Sequence, residues 1–305
     1  MIISGYAEPP PMLENPEGAE TARSTSQLSA IVFVFSQNRM AVASAGFLIF
    51  LVLFCFVGPL IYHTDQIYVN LSAVSLPPSL HHPLGTDNNG YDELGRLMLG
   101  GQTTIEVCVT AAVLAMGLGV VYGVLAAFLG GWVDNVMMRV VDVLLAIPSL
   151  LLLLFLATIF VPNLPLLILI VASIAWLVPS RLIRGEVLSL RTRDYVQAAR
   201  LVGGSGVRII VHHLIPNALG TVIVNATFQV ADAVLLVAYL SFLGLGIPPP
   251  ATNWGAMLSS GVNFVFAGDW WLIWPVGVAI ILTVVAFNFI GDALRDALDV
   301  RLRSR

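Results

Sequence analysis

Lysine is absent from this sequence, and charge of either sign is scarce. Of 305 residues, 10% are charged and 58% are hydrophobic. A soluble domain carries roughly 25% charged residues, so this chain has too few to cover a water-facing surface, and its mean hydropathy is +0.90. Without Lys there is no Walker-type phosphate loop, which excludes an ATPase built on that motif. Cysteine is nearly missing too. Cys55 and Cys108 lie inside apolar runs and read as small buried hydrophobes rather than a disulfide or metal pair. No nucleophile–base constellation stands out. His81-His82 and His212-His213 are adjacent pairs that diverge by about 100° on a helix, and no Cys or Asp completes a metal set around either. No catalytic residue and no metal site are therefore expected.

What the chain has is long apolar runs. A helix needs roughly 20 apolar residues to cross a bilayer core. Met40–Tyr62, Val107–Gly130, Val136–Val161, Ala218–Leu240 and Trp270–Ile290 meet that need, and the shorter Leu164–Val178 completes an expected set of six spans. The fold class is thus all-α integral membrane. Its expected divisions are a disordered acidic tail over 1–38, a first transmembrane helix over 39–62 and an extracytoplasmic segment over 63–104. A transmembrane core over 105–292 and a C-terminal tail over 293–305 follow. The acidic start and the long first apolar run argue against a cleaved signal peptide.

Arginine placement predicts orientation. With the N-terminus inside, 13 of the 14 arginines fall on inner segments and only Arg96 falls outside. Both termini are then cytoplasmic. Trp254, Trp270, Trp271 and Trp274 are expected at headgroup level on the outer face.

The inner loop at about 180–216 is the most informative stretch. Asp194, followed three residues on by Gln197, has the form of a capping box. A short helix is expected to Val202, ended by Gly203-Gly204; Ser205 then caps a second helix that reaches Pro216. Ala198 and Ala199 keep the exposed surface low enough to lie in a groove on another protein.

This loop resembles the signature of ABC importer permeases: Glu-Ala-Ala, three residues, Gly, and a Pro thirteen residues further on. Gln197-Ala198-Ala199, Gly203 and Pro216 occupy those places, with Gln standing for Glu. Further stretches are similar to the second permease of the dipeptide and oligopeptide branch. They include His82-Pro83-Leu84-Gly85-Thr86-Asp87, Trp254-Gly255-Ala256-Met257 and the run from Asn288 to Asp299. The chain departs from that branch at Tyr91, Gln102 and Glu106. The resemblance implies a type I importer permease of six transmembrane helices in a bacterial cell membrane. It implies no cofactor of its own, ATP being bound by partner ATPase subunits. It also implies a homologous second permease, one or two cytoplasmic ATPases, an extracytoplasmic binding protein and a peptide substrate. In the family the loop is the coupling element that docks on the ATPase. A permease for nickel or another small solute of the same branch is the nearest alternative, and a secondary transporter a more remote one.

Four polar residues interrupt the fifth span. Thr221, Asn225, Gln229 and Asp232 fall within roughly 80° of arc at about 100° per residue, which makes one stripe. It is either pathway lining or hydrogen-bonding glue between helices. Arg139 and Asp142, three apart, are placed to pair on one face. Gly119 and Gly123 form a close-packing step, within the chain or against the second permease.

Overall fold

The computed structural model of the protein describes residues 33, 35–160, 163–203 and 205–303. Of the tail expected over 1–38, residues 1–32 and 34 lie outside the described residues, as do the end of the third expected span at Val161 and the second glycine of the inner loop, Gly204; residues 35–37 are helical. No strand occurs among the described residues; Thr86 and Asp92 form an isolated bridge.

Four helices are long and apolar enough to cross a membrane, and six spans result if each of two bent helix pairs counts as one. The first, α1 (Arg39–Phe56), is capped by Asn38, whose side chain accepts from the amides of Met40 and Ala41. A short turn, α2 (Gly58–Ile61), has Pro59 in its first turn. The second long helix, α3 (Glu93–Leu129), has 37 residues. At 1.5 Å per residue it is about 55 Å long, well beyond a hydrocarbon core. It begins earlier than the sequence pattern indicates, because Asp92 caps it by accepting from Gly95 N. Residues 93–104, read as the end of the extracytoplasmic segment, are therefore the start of this helix.

Two prolines break what the hydropathy pattern joins. The third expected span is α4 (Gly131–Leu145) and α5 (Ser149–Ile159), bent by 82°. Pro148 has no N–H for the carbonyl of Leu144, and Ile147 N turns to that carbonyl at 3.3 Å instead. The fourth expected span, Leu164–Val178, is α6 (Leu164–Ala175) and only the start of α7 (Leu177–Arg191), which is bent from α6 by 44° and carries helix on into the stretch read as the inner loop. Here Pro179 withholds the N–H that the Ala175 carbonyl would accept from. Next come α8 (Asp194–Leu201) and α9 (Gly206–Ile209). A π turn over Ile210–Leu214 leads into α10 (Ile215–Phe242). Finally, α11 (Trp254–Gly261) and α12 (Trp274–Arg303) complete the chain.

The centre of the packing is α3, which lies against α1, α6, α7, α10 and α11. Small residues make this possible. A Cβ on Gly119 would stand 2.7 Å from Pro179 Cβ, and one on Gly123 would stand 2.5 Å from the Ser180 carbonyl. The glycine pair thus seats α7 on α3 within the chain.

Trp254 corrects an expectation. It is fully buried, and its Nε1 donates to the carbonyl of Leu97 at 3.1 Å. Trp271 is also buried, donating to Thr86 O at 3.2 Å. Only Trp270 and Trp274 of the four are exposed. Arg139 corrects another. It does not take Asp142, which pairs with Arg181 of α7; Arg139 is exposed.

Residues 63–92 form an ordered cap over the start of α3. Asp87 Oδ1 accepts from the amides of Asn89 and Tyr91. Gly90 has φ +78, and a Cβ there would overlap the Asn70 carbonyl at 1.9 Å. Arg96 pairs with Asp87 at 3.3 Å and lies over the Tyr91 ring. Asp92 Oδ2 accepts from Tyr62 OH at 2.8 Å and meets His82 Nδ1 at 2.8 Å.

Candidate functional site

Both helix breaks open onto one cavity of about 420 Å³. Leu144, Leu145, Ile147, Pro148 and Ser149 come from the α4–α5 break. Ile174, Ala175, Leu177 and Val178 come from the α6–α7 break. The third wall is one face of α10, carrying Gln229, Asp232, Leu235, Leu236 and Tyr239. Gln229 is buried, whereas Asp232 and Tyr239 are exposed. The cavity is apolar except for a few fixed groups, the usual composition of a small-molecule site.

The stripe expected on this helix divides. Gln229 and Asp232 line the cavity, and Thr221 and Asn225 do not. Those two are half-buried nearer the Arg-rich end, where Asn225 Nδ2 donates to the Thr221 carbonyl at 2.8 Å. Sequence reasoning missed Ser149 and Tyr239. The signals for them were Pro148 and Pro179, which mark the breaks, and the i+7 spacing of Tyr239 from Asp232.

From the cavity, α7 runs directly to the signature loop. It is held to α4 by Arg184, whose Nε and Nη2 reach Asp134 Oδ1 and Oδ2 at 2.5 and 2.6 Å. The Arg181–Asp142 pair adds a second tie, and Arg191 donates to the carbonyl of Ala127 on α3. Past Thr192, α8 turns Val196 into a cluster with Val124, Ile183 and Val187, and Ala199 packs against the same cluster.

The expected capping box is not formed. Asp194 is the first residue of α8 rather than its cap, and Gln197 Nε2 donates to the Thr192 carbonyl at 3.2 Å. The Gln side chain thus ties the loop to the end of α7 instead of satisfying the α8 amides. Asp194, Gln197 and Ala198 are exposed and Ala199 is half-buried. At Gly203 the chain reverses with φ +82, a conformation side chains rarely adopt. Leu201 and Val202, just before it, are each 89% exposed. Ser205 caps α9 by accepting from Arg208 N at 3.4 Å. Pro216 is exposed in the first turn of α10. Glu106 is exposed on α3, and Gln102 Nε2 donates to the Cys55 carbonyl at 2.7 Å.

Comparison with known proteins fits this architecture. The family model described as the binding-protein-dependent transport system inner membrane component matches residues 119–304, from the middle of α3 to the end of the chain. The chain belongs to that family. A second model, the N-terminal TM domain of oligopeptide transport permease C, matches residues 26–78. Among individual relatives of this inner membrane component, the oligopeptide transport system permease protein OppC of Bacillus subtilis is 36% identical over 269 residues, 88% of each chain. The dipeptide transport system permease protein DppC of the same organism is 37% identical over 267 residues, covering 88% of this chain and 83% of its own. The OppC protein of Escherichia coli K12 is 38% identical over 271 residues, covering 88% and 89%. As an inner membrane component of such a system, the chain is a non-catalytic, multi-pass membrane subunit of a transporter whose ATPase lies in separate subunits.

Proposed function

We propose that this chain is a permease subunit of an ATP-driven importer of dipeptides or oligopeptides. It forms the translocation pathway with a homologous second permease. The observation that carries the substrate class is the likeness, over 88% of the chain, to permeases named for dipeptide and oligopeptide transport. An extracytoplasmic binding protein delivers solute, and one or two cytoplasmic ATPases supply the work. Both termini are cytoplasmic in this reading, as the arginine distribution favours.

Two regions carry the mechanism. The loop from Asp194 to Pro216, with Gln197, Ala198, Ala199 and Gly203, docks on the ATPase. The cavity bounded by Gln229 and Asp232 is a stretch of the solute pathway. The path between them supports this assignment: α7 has one end at the cavity and the other at α8, and two ion pairs bind it to α4. Movement of the docked loop therefore reaches both bent helices at once. In this scheme the breaks at Pro148 and Trp176 are the hinges, since neither carries a continuous helical hydrogen-bond ladder. Six spans follow if each bent pair crosses once. The test is uptake of labelled peptide by the reconstituted complex, together with ATPase co-purification.

A further inference from the structure

We propose that Asp232 is the docking point for a primary ammonium group, the free amino terminus of a peptide, within the pathway cavity. The inference rests on the pathway reading above and adds the chemistry of recognition to it. Asp232 is the one charged residue on the described walls of this cavity, and it is exposed there. No Arg is among the described lining residues to neutralise it. A carboxylate among apolar walls attracts a cation and repels an anion more strongly than in open water. It also accepts charge-assisted hydrogen bonds from an ammonium. Two further groups on the same face of α10 suit the same ligand. Gln229, one turn before, carries an amide oxygen that can accept from an ammonium, and Tyr239, two turns after, lines the same wall with an aromatic ring, a residue type that attracts cations.

The rest of the wall suits the rest of a peptide. Leu144, Ile174, Leu177 and Leu236 present apolar surface with no directional groups. Side chains of differing shape can lie against it without a fixed pocket, while the amino terminus is common to all such substrates and is the group that matches the one charged residue described on this wall. The opposite end, a carboxylate, has no cationic partner on these walls. The arrangement thus orders a passing peptide amino end toward α10.

The test uses the assembled complex in membrane vesicles, with Cys55→Ala and Cys108→Ala and a single reporter, Leu236→Cys, one turn from Asp232. Labelling rates are measured with a trimethylammonium and a sulfonate methanethiosulfonate reagent during ATP turnover. The ratio of cationic to anionic rate falls about fivefold or more on Asp232→Asn, and Asp232→Glu restores it. The same ratio at an exposed reporter outside the cavity, Asn263→Cys, does not move. A tripeptide with a free amino terminus slows cationic labelling at Leu236→Cys, and its N-acetylated form does not. An unchanged ratio, or equal protection by both peptides, overturns ammonium recognition while leaving the pathway reading standing. A reporter that reacts with neither reagent overturns the pathway reading and this inference with it.

Discussion

Replacing Gly203 tests whether the shape of the signature loop, rather than its bulk, matters for uptake. The residue has φ +82, and a Cβ built there meets no atom within 4 Å. A Cβ therefore collides with none of the described residues, and the cost of a side chain is conformational. An L-residue held in the left-handed region is strained by roughly 1–2 kcal/mol. That corresponds to about a five- to thirty-fold loss in the population of loops with the native turn. Asn tolerates this region better than Ala, and a β-branched residue tolerates it worst. Gly203→Asn, Gly203→Ala and Gly203→Val are therefore expected to lower uptake in that rising order. Membrane insertion stays normal, because the site is exposed and makes no packing contact with the described residues that a side chain would displace. The assay pairs peptide uptake with co-purification of the ATPase. If Ala and Val match glycine, the reversed turn is not required. If Asn is as damaging as Val, side-chain bulk at the docking face is responsible and the strain argument fails.

Two further outcomes follow from the packing and the charge pattern. Gly123→Ala places a methyl 2.5 Å from the Ser180 carbonyl and 2.9 Å from Arg184 N. It should destabilise the protein in detergent by about 1–3 kcal/mol, read as a lower melting temperature. Gly117→Ala, on the same helix with nothing within 4 Å, should be neutral or slightly stabilising. Equal effects would contradict the α3–α7 seat. For orientation, Asn263→Cys should react with an impermeant thiol reagent on intact cells and Val207→Cys only after lysis, both residues being exposed. Labelling of Val207→Cys from outside would reverse the topology.

The sequence is legible where one local rule decides the outcome. Apolar runs located the helical segments, and Gly203 announced the turn that ends α8. The breaks were harder to read. Pro148 stands inside a run that hydropathy alone joins, and Pro179 marked the end of the fourth apolar run without showing that helix resumes before it and continues to Arg191, so the two bent pairs resembled simple spans, and the cavity between them was invisible. Its polar face was half visible: the period of the helix found Gln229 and Asp232 but could not separate them from Thr221 and Asn225, because only the position of the breaks does so. Partner choice was the other weak point. Arg139 and Asp142 have ideal spacing for a helix pair, yet Arg181 arrives from α7 and takes the carboxylate. Trp254 resembled an interfacial residue by its setting, but burial of its ring against α3 and the Leu97 carbonyl outweighs the interface. Asp194 and Gln197 show the same limit at short range: the Gln197 side chain donates to the Thr192 carbonyl and leaves the α8 amides.

The central claim is that this chain forms the membrane path of an ATP-driven peptide importer. Its most direct test is accumulation of a labelled tripeptide in proteoliposomes holding this permease, the second permease, the ATPases and the binding protein. The account predicts peptide accumulation that requires ATP and the binding protein, and that is lost when this chain is omitted. ATP-dependent accumulation of nickel ion without peptide accumulation, or peptide uptake that continues without this chain, would contradict it.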